Sequence, residues 1–210
     1  MTDPARRPIK TRDAGWVRRI ARRLSASDVT PNQISKASMG FAALAGGAFA
    51  AAGWLGAGWP LLVAAVGIQM RLLCNLFDGL VAVEGGKAEP DGPLWNEMPD
   101  RVADLLILVG AGVAAGAFWL GWAAAAGALL TAYIRAMGVA LGAPEDFGGP
   151  MAKPQRMAVM TSAAVLGFGE WLWTGSGYVL LAGLAVVAAG SGATFWLRTA
   201  RLLRHLRDTG

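Results

Sequence analysis

The chain has 210 residues, of which 55% are hydrophobic and only 16% are charged, and its mean hydropathy is +0.44. A water-soluble domain of this length carries more charge, so the composition excludes an ordinary soluble protein and predicts one domain with several membrane spans. The formal net charge of +5 does not indicate nucleic-acid binding, because the basic residues follow membrane topology as described below, and the single cysteine excludes an internal disulfide.

The first predicted element is an amphipathic helix over residues 13–25. Trp16, Ile20 and Leu24 are spaced four residues apart, and four arginines occupy the other flanks. This pattern is typical of a helix that lies among lipid headgroups with its apolar side toward the membrane, although a solvated basic tail is the alternative. The first thirty residues contain no apolar stretch of a cleavable signal peptide, and we expect residues 1–30 to form a cytoplasmic, interfacial segment.

Six transmembrane helices are predicted after this segment. Thr30 and Gln33 fit a capping box and Pro31 fits the first helical position, so the first span begins there. About 20 apolar residues cross a hydrocarbon core of about 30 Å. By this criterion the spans lie near 31–54, 60–83, 97–118, 122–141, 156–173 and 178–196. The sequence therefore predicts an all-α integral membrane domain over residues 31–198, followed by a basic cytoplasmic tail over 199–210.

The basic residues and tryptophans predict the orientation of these spans. Eight of the nineteen Lys and Arg residues precede residue 30, and none falls in the turns near 55–59, 119–121 and 174–177. Arg198, at the end of the last span, continues into the tail with Arg201, Arg204 and Arg207. By the positive-inside rule both termini are cytoplasmic, and tryptophan pairs flank the three turns on the other side. We expect the chain to lie in the cytoplasmic membrane of a bacterium, with the loops near 84–96 and 142–155 on the cytoplasmic side.

A polar constellation interrupts the apolar sequence around the first cytoplasmic loop. Asn75 and Asp78 share a face at the end of the second span, and Asn96 and Asp100 share a face at the start of the third. A turn between the two helices brings the four oxygen-bearing side chains together, which is a set that suits Mg²⁺ or Mn²⁺. Helix capping is the structural alternative, but Asp78 and Asp100 lie inside the helical pattern, where ionisable residues indicate function.

The stretch NLFDGLVAVEGGKAEPDGPLWNEMPD, residues 75–100, resembles the signature of the CDP-alcohol phosphatidyltransferases, D-x2-D-G-x2-A-R-x8-G-x3-D-x3-D. Every spacing is kept. Five signature positions match, at Asp78, Gly79, Ala82, Gly92 and Asp100. Three differ, at Asn75, Val83 and Asn96. TPNQIS after a basic amphipathic helix, and YIRAMGVALG followed by KPQRM, are also similar to the family, so the likeness extends over most of the chain.

This resemblance implies a reaction and a site. The family transfers a phosphatidyl or related group from a CDP-activated lipid, such as CDP-diacylglycerol, to a hydroxyl acceptor and releases CMP. It implies that Mg²⁺ or Mn²⁺ is held by the signature residues and that Asp100 is the general base. The residues implied to bind the donor are Asn75, Asp78, Gly79, Ala82 and Gly92. Those implied to bind a phosphate of the acceptor or donor are Arg135, Lys153 and Arg156. The family also forms homodimers, and we expect one here.

The two asparagines predict a weaker cation site than the family signature. An amide oxygen accepts a hard cation but contributes no charge, so two carboxylates balance only one divalent ion. We therefore hypothesise one tightly held cation, with a second bound only alongside the donor pyrophosphate. Arg71, one turn before Asn75, is a possible fixed charge for the same pocket or an ordinary ion-pair partner. Glu97 is a possible substitute ligand, and Asp104 is expected to orient Asp100 or to pair with Arg101.

Two other functions are compatible with the sequence. A catalytically silent relative that binds a CDP-lipid or a partner protein would explain the asparagines, although Asp78 and Asp100 are retained. A small transporter would explain six spans, but the chain lacks paired broken helices in matching halves. The acceptor alcohol is not identified by the signature.

Overall fold

In a computed structural model of the chain, residues 15–87 and 89–209 are described, and within them the fold is seven α-helices without a strand. Residues 1–14, which include the start of the predicted amphipathic segment, lie outside the described residues. The helices are α1 (Gly15–Ser25), α2 (Pro31–Leu55), α3 (Trp59–Glu84), α4 (Gly92–Ala114), α5 (Phe118–Ala140), α6 (Lys153–Thr174) and α7 (Tyr178–Thr209).

Helix α2 begins as predicted from its capping residues. The Thr30 hydroxyl accepts a hydrogen bond from the backbone N–H of Gln33 at 3.3 Å, and the Gln33 side chain accepts one from the backbone N–H of Thr30 at 3.1 Å. Pro31 occupies the first turn, where its missing N–H costs nothing. The helix ends at Gly56, whose φ of 59° is left-handed and favours glycine.

Four helices of the described part of the chain are long and apolar enough to cross a membrane: α2, α3, α5 and α7. The predicted third and fifth spans correspond to α4 and α6, which have similar lengths but do not meet the same criterion. Helix α4 carries Glu97, Asp100, Arg101 and Asp104 along its first half. Asp100 and Asp104 are buried against other helices, as the site below shows, whereas the Glu97 side chain is 48% exposed. The chain is a membrane protein.

Close backbone contacts between helices explain the many glycines. Gly46 of α2 lies against the backbone of Leu106 in α4, and a Cβ at Gly46 would overlap the Leu106 carbonyl oxygen. Between α4 and α5, a Cβ at Gly112 would lie 2.8 Å from the Cα of Gly121. These contacts place α4 in the middle of the bundle, against α2, α5 and α7. Glycine thus allows the close packing that is typical of membrane helices.

Helix α1 is present in the described part of the predicted amphipathic segment. Val17 and Ala21 are buried against α3, where they contact an apolar cluster, and Leu24 packs at its edge. Trp16 and Ile20 remain 48% and 37% exposed, and their contact with the membrane stays a prediction. A small residue such as Ala21 lets α1 approach α3 closely, while the large side chains remain outside.

Several helix boundaries differ from the predicted spans, and α5, for example, begins four residues earlier than predicted, at Phe118. Helices α4 and α6 begin earlier, at Gly92 and Lys153, because Pro93 and Pro154 fit the first turn of a helix. Helix α7 does not end at residue 196 but continues to Thr209, so the basic tail is helical. All the loops that join α1 to α2, α3 to α4 and α5 to α6 lie at the same end of the bundle, together with the end of α7.

Candidate active site at the polar end of the bundle

Asp78 is held in place by α2 and by its own helix. Its side chain lies in α3 and is 5% exposed. One carboxylate oxygen accepts a hydrogen bond from the Ser35 hydroxyl at 2.6 Å, and the other accepts one from the Gly79 backbone N–H at 2.6 Å. Ser35, itself buried in α2, was not predicted as a site residue. The feature by which Ser35 could have been recognised in the sequence is its hydroxyl group, placed on the inward face of the first turns of α2.

Asp100 of α4 receives donors from two other helices. Its Oδ1 accepts hydrogen bonds from Asn75 Nδ2 at 2.6 Å and from Arg71 Nη2 at 3.2 Å, both in α3. Its Oδ2 accepts a hydrogen bond from the Lys153 ammonium at the start of α6. Arg71 is fully buried and Asp100 is 7% exposed. Arg101 Nη2 of the same helix lies 3.9 Å from Oδ2. The predicted general base is therefore surrounded by three cations and an amide.

Asp104 forms a second buried ion pair one turn further along α4. Arg156 Nη2 lies 2.7 Å from its Oδ2, and Arg71 Nη2 lies 3.8 Å from its Oδ1. Arg156 also donates to the Met151 carbonyl at 3.0 Å and to the Thr131 hydroxyl at 3.3 Å. The alternative in which Asp104 pairs with Arg101 is wrong, because Arg101 pairs with Glu97 at 3.1 Å and lies 3.9 Å from Asp100.

Glu97 contacts arginines at the mouth of the site. Its carboxylate lies 2.6 Å from Arg135 Nη2 of α5 and 3.1 Å from Arg101 Nη2 of its own helix. Arg135 also pairs with Glu145 at 3.1 Å and lies over the ring of Phe147 at 5.2 Å. The Glu97 side chain is 48% exposed, so it is the most accessible acid of the group. In this arrangement Glu97 neutralises arginines and does not join Asp78.

A pocket of about 760 Å³ opens between α3, α4, α5, α6 and α7 at this end of the bundle. Its wall combines charged residues with apolar ones such as Leu72 and Leu76 from α3. The predicted site residues in the wall are Asn75, Asn96, Glu97, Asp100, Arg135, Lys153 and Arg156. The predicted site residues outside the wall are Arg71, Asp78, Gly79, Ala82 and Gly92. The pocket therefore gathers the acid–base and cationic residues, while Asp78 lies behind it.

The two asparagines of the constellation have different environments. Asn75 is half-buried and bound to Asp100. Asn96 is exposed, lines the pocket and forms no hydrogen bond to another described residue. A Cβ at Gly79 or Gly92 would meet nothing within 4 Å, so space is open beside both glycines.

Arg198 is a pocket residue that was not predicted. It lies in α7 and is 6% exposed. Its guanidinium donates to the Thr131 carbonyl at 2.6 Å and to the Gly148 carbonyl at 2.9 Å. It was assigned to the positive-inside tail because it follows an apolar span. The continuation of α7 beyond that span is what turns Arg198 toward the pocket.

The loop between α3 and α4 is fixed to the start of α2. Asn32 donates hydrogen bonds to Asp91 at 2.9 Å and to Glu89, and Lys87 donates to the Ser27 carbonyl. The hydrogen bond from Asn32, together with one from Trp95, lowers the pKa of the Asp91 carboxyl below its ordinary value. These contacts hold the two signature helices at a constant separation.

The oxygen-bearing side chains of the site are of the types that bind a hard divalent cation. Asp78 and Asp100 supply carboxylates, and Asn75 and Asn96 supply amide oxygens, all of which are ligand types of Mg²⁺ and Mn²⁺. Within residues 15–87 and 89–209 there is no group of three or more Asp, Glu, His or Cys side chains placed to hold a metal. Two of the four signature ligand positions are carboxylates, and together they carry the charge that one divalent ion balances.

The chain resembles known proteins in sequence and in fold. No family model matches it. It is 36% identical over 145 residues to the bifunctional IPC transferase and DIPP synthase of Rubrobacter xylanophilus, a match that covers 66% of this chain. The chain spans about a third of the length of that curated relative, 32%.

Solved structures of Mycobacterium tuberculosis phosphatidylinositol phosphate synthase (PgsA1) share the fold. The structure with CDP-DAG bound has a TM-score of 0.72 and 20% sequence identity, and the match covers 88% of this chain and 92% of that one. The structure in complex with manganese and citrate has a TM-score of 0.73 and 19% identity, with 88% of each chain covered. The chain therefore shares the helical fold of these synthase structures.

Proposed function

We propose that the chain belongs to the CDP-alcohol phosphatidyltransferases and transfers a phosphatidyl group from a CDP-activated lipid to a hydroxyl acceptor, with release of CMP. The observation that carries this proposal is the position of Asp100. It lies on the wall of a pocket between apolar helices, bound to Asn75 and Lys153, at the end of the bundle where the signature helices meet. The signature spacing over residues 75–100 and the fold shared with a synthase crystallised with CDP-DAG support it.

Asp100 acts as the general base in this proposal. Arg71 and Asn75 hold Oδ1, and the other oxygen, Oδ2, accepts the proton of the acceptor hydroxyl. The acceptor oxygen then bonds to the phosphorus of the lipid phosphate, and the bond from that phosphorus to the CMP phosphate breaks. CMP leaves with the electron pair of that bond. Lys153, which contacts Oδ2, is placed to turn its ammonium toward the phosphates when the acceptor arrives.

A divalent cation, Mg²⁺ or Mn²⁺, is proposed to be held by Asp78 and Asp100 with the amide oxygens of Asn75 and Asn96. When bound, such an ion neutralises the charge of a pyrophosphate. Ser35 fixes the Asp78 carboxylate by a hydrogen bond of 2.6 Å, which orients it for this role. The manganese in a synthase of the same fold supports the choice of a divalent cation.

The donor is proposed to approach over the small residues of the signature. Gly79 and Gly92 leave open space at the ends of α3 and α4, and Ala82 adds little bulk beside them. A nucleotide diphosphate fits such a surface because its phosphates approach backbone closely. The apolar pocket wall at Leu72 and Leu76 is suited to the lipid part of the donor.

The acceptor is proposed to be a small alcohol or phosphoalcohol that binds on the basic side of the pocket. Arg135, Lys153 and Arg156 line this side, and Arg198 extends it. Arg156 and Arg198 are bound to buried partners, whereas Arg135 is held by the accessible acid Glu97. An anionic group on the acceptor would compete with Glu97 for Arg135.

The topology proposed for the chain has six spans, with the pocket and both termini on the cytoplasmic side. The supporting observations are the basic residues at the pocket end and the absence of Lys and Arg from the turns at the other end. A homodimer is proposed from the family resemblance.

The reaction is tested with purified protein, CDP-diacylglycerol, Mg²⁺ or Mn²⁺ and a panel of acceptors with and without phosphate. CMP and the lipid product are quantified by mass spectrometry. Equal amounts of CMP and a phosphodiester lipid with one acceptor support the proposal. CMP with phosphatidic acid in place of a phosphodiester lipid indicates hydrolysis, and no CMP with any acceptor favours a binding protein; either result contradicts transfer.

A further inference from the structure

We infer that Arg71 is a positioning residue for Asp100 and that Arg71 and Lys153 together take the place of a second divalent cation. This inference rests on the proposed function, because it concerns the same site. It assigns a role to a buried arginine that lies outside the signature, and it explains how the site tolerates an asparagine at position 75.

Fixed cations of the protein compensate the Asp100 carboxylate. Four carboxylates in the full signature match the charge of two divalent cations. Here only Asp78 and Asp100 remain as carboxylates at those four positions, and Arg71 and Lys153 stand within 4 Å of Asp100. Both cations contact the Asp100 carboxylate, one on each oxygen. The protein itself therefore supplies the positive charge that a metal would otherwise supply to Asp100.

The charge of Arg71 is compensated by two acids of α4, Asp100 and Asp104. Arg71 is fully buried, and its Nη2 lies 3.2 Å from Asp100 and 3.8 Å from Asp104. Its Nε and Nη1 have no hydrogen-bond partner among the described residues. A buried charge is costly unless it is paired, so the position of Arg71 is maintained by its attraction to these carboxylates. The same attraction fixes Oδ1 of Asp100.

Asn75 completes this arrangement as a hydrogen-bond donor. Its Nδ2 lies 2.6 Å from Oδ1 of Asp100. An aspartate at the same position would place two carboxylate oxygens at about that separation, which is unfavourable unless a cation lies between them. The Asn75 amide and the Arg71 guanidinium thus occupy the side of Asp100 where an aspartate at position 75 would require a metal.

Asn96 provides a matched comparison for Asn75. It is exposed and forms no hydrogen bond to another described residue. An aspartate there adds a carboxylate at the pocket rim without disturbing Arg71 or Asp100. Asn96→Asp therefore strengthens binding of the first cation without creating a position for a second.

The inference is tested by Mn²⁺ binding without substrates, so its outcome is independent of whether the chain releases CMP. Mn²⁺ bound per chain is measured by electron paramagnetic resonance in detergent for wild type, Asn96→Asp, the double variant Asn75→Asp/Arg71→Leu, and Arg204→Gln as an exposed-charge control. We expect one ion in wild type, Asn96→Asp and Arg204→Gln, and two in the double variant. Two ions in wild type, or no additional ion in a folded double variant, would overturn the inference.

A single variant keeps the test decisive if the double variant does not fold. Asn75→Asp retains Arg71 but places a carboxylate against Asp100, so saturating Mn²⁺ should raise its melting temperature by more than that of wild type. An equal shift for the two proteins would show that position 75 does not control a cation site, and would overturn the inference.

Discussion

Asn75 donates a hydrogen bond of 2.6 Å to Asp100 across the interface between α3 and α4. The first and last residues of the signature are therefore in direct contact, although 24 residues lie between them in the sequence. The contact links the helix that precedes the loop to the helix that follows it. It also places the proposed base in a fixed orientation at the pocket wall.

Removal of the Ser35 hydroxyl should weaken the cation site. Ser35→Ala removes the hydrogen bond that orients Asp78, and loss of such a support costs about 10–100-fold in metal affinity or activity. Ser38→Ala is the matched control, because Ser38 is also buried but donates only to the Ser35 carbonyl. Mn²⁺ affinity measured for the two variants checks this prediction. Equal losses in both would show that Asp78 does not depend on Ser35.

The Asp104–Arg156 pair should contribute to folding rather than to chemistry. Both residues are 1% exposed, and their charged atoms are 2.7 Å apart. Asp104→Leu leaves Arg156 buried without its partner and should destabilise the protein by about 3–5 kcal/mol. Asp104→Leu/Arg156→Met should recover most of this loss. Unfolding in mixed micelles with increasing SDS fraction measures both, and a double variant no more stable than the single one would contradict the account.

The close contact between α2 and α4 should not accept a methyl group. Gly46→Ala places a Cβ against the Leu106 carbonyl and should cost about 1–3 kcal/mol through overpacking. Gly47→Ala is the control on the next residue, because a Cβ there meets nothing within 4 Å. Alanine should be neutral or slightly stabilising at position 47. The same unfolding measurement compares the two variants, and equal stabilities would show that the helices do not pack as described.

Glu97 should reduce the affinity of the pocket for anionic acceptors. Glu97→Gln removes an accessible carboxylate from Arg101 and one of the two carboxylates that pair with Arg135, while Glu145 remains. Since an exposed pair of this kind is worth about 0–1 kcal/mol, KM for a phosphorylated acceptor should fall by up to about fivefold, while KM for an uncharged acceptor stays constant. Asp208→Asn, an exposed acid near the end of α7, is the control. A fall of KM for both acceptor classes would argue against a role for Arg135 in phosphate binding.

Much of the helical framework follows from the sequence, because apolar runs and capping residues are local signals. Thr30, Pro31 and Gln33 identify the start of α2 to the residue. The buried face of α1 does not follow, because Val17 and Ala21 are distinguished from Trp16 and Ile20 only by their contacts with α3.

The sequence predicts which residues belong to the site better than it predicts which of them contact one another. The signature spacing brings Asn75 and Asp100 into one pocket, as expected. The contact of Asp104 with Arg156, and that of Arg198 with Thr131, depend on how α6 and α7 rotate against α4 and α5. Such rotations are decided by packing between helices distant in sequence, for which the sequence contains no local signal.

The central claim is that Asp100 removes a proton from an acceptor hydroxyl during transfer from a CDP-lipid. It is tested most directly by the rate of CMP release from CDP-diacylglycerol in the presence of acceptor and Mg²⁺, for wild type, Asp100→Asn and the distant control Asp208→Asn. We expect wild type and Asp208→Asn to release CMP at the same rate and Asp100→Asn to be about 10²–10⁴-fold slower. A rate for Asp100→Asn equal to that of wild type would contradict the account.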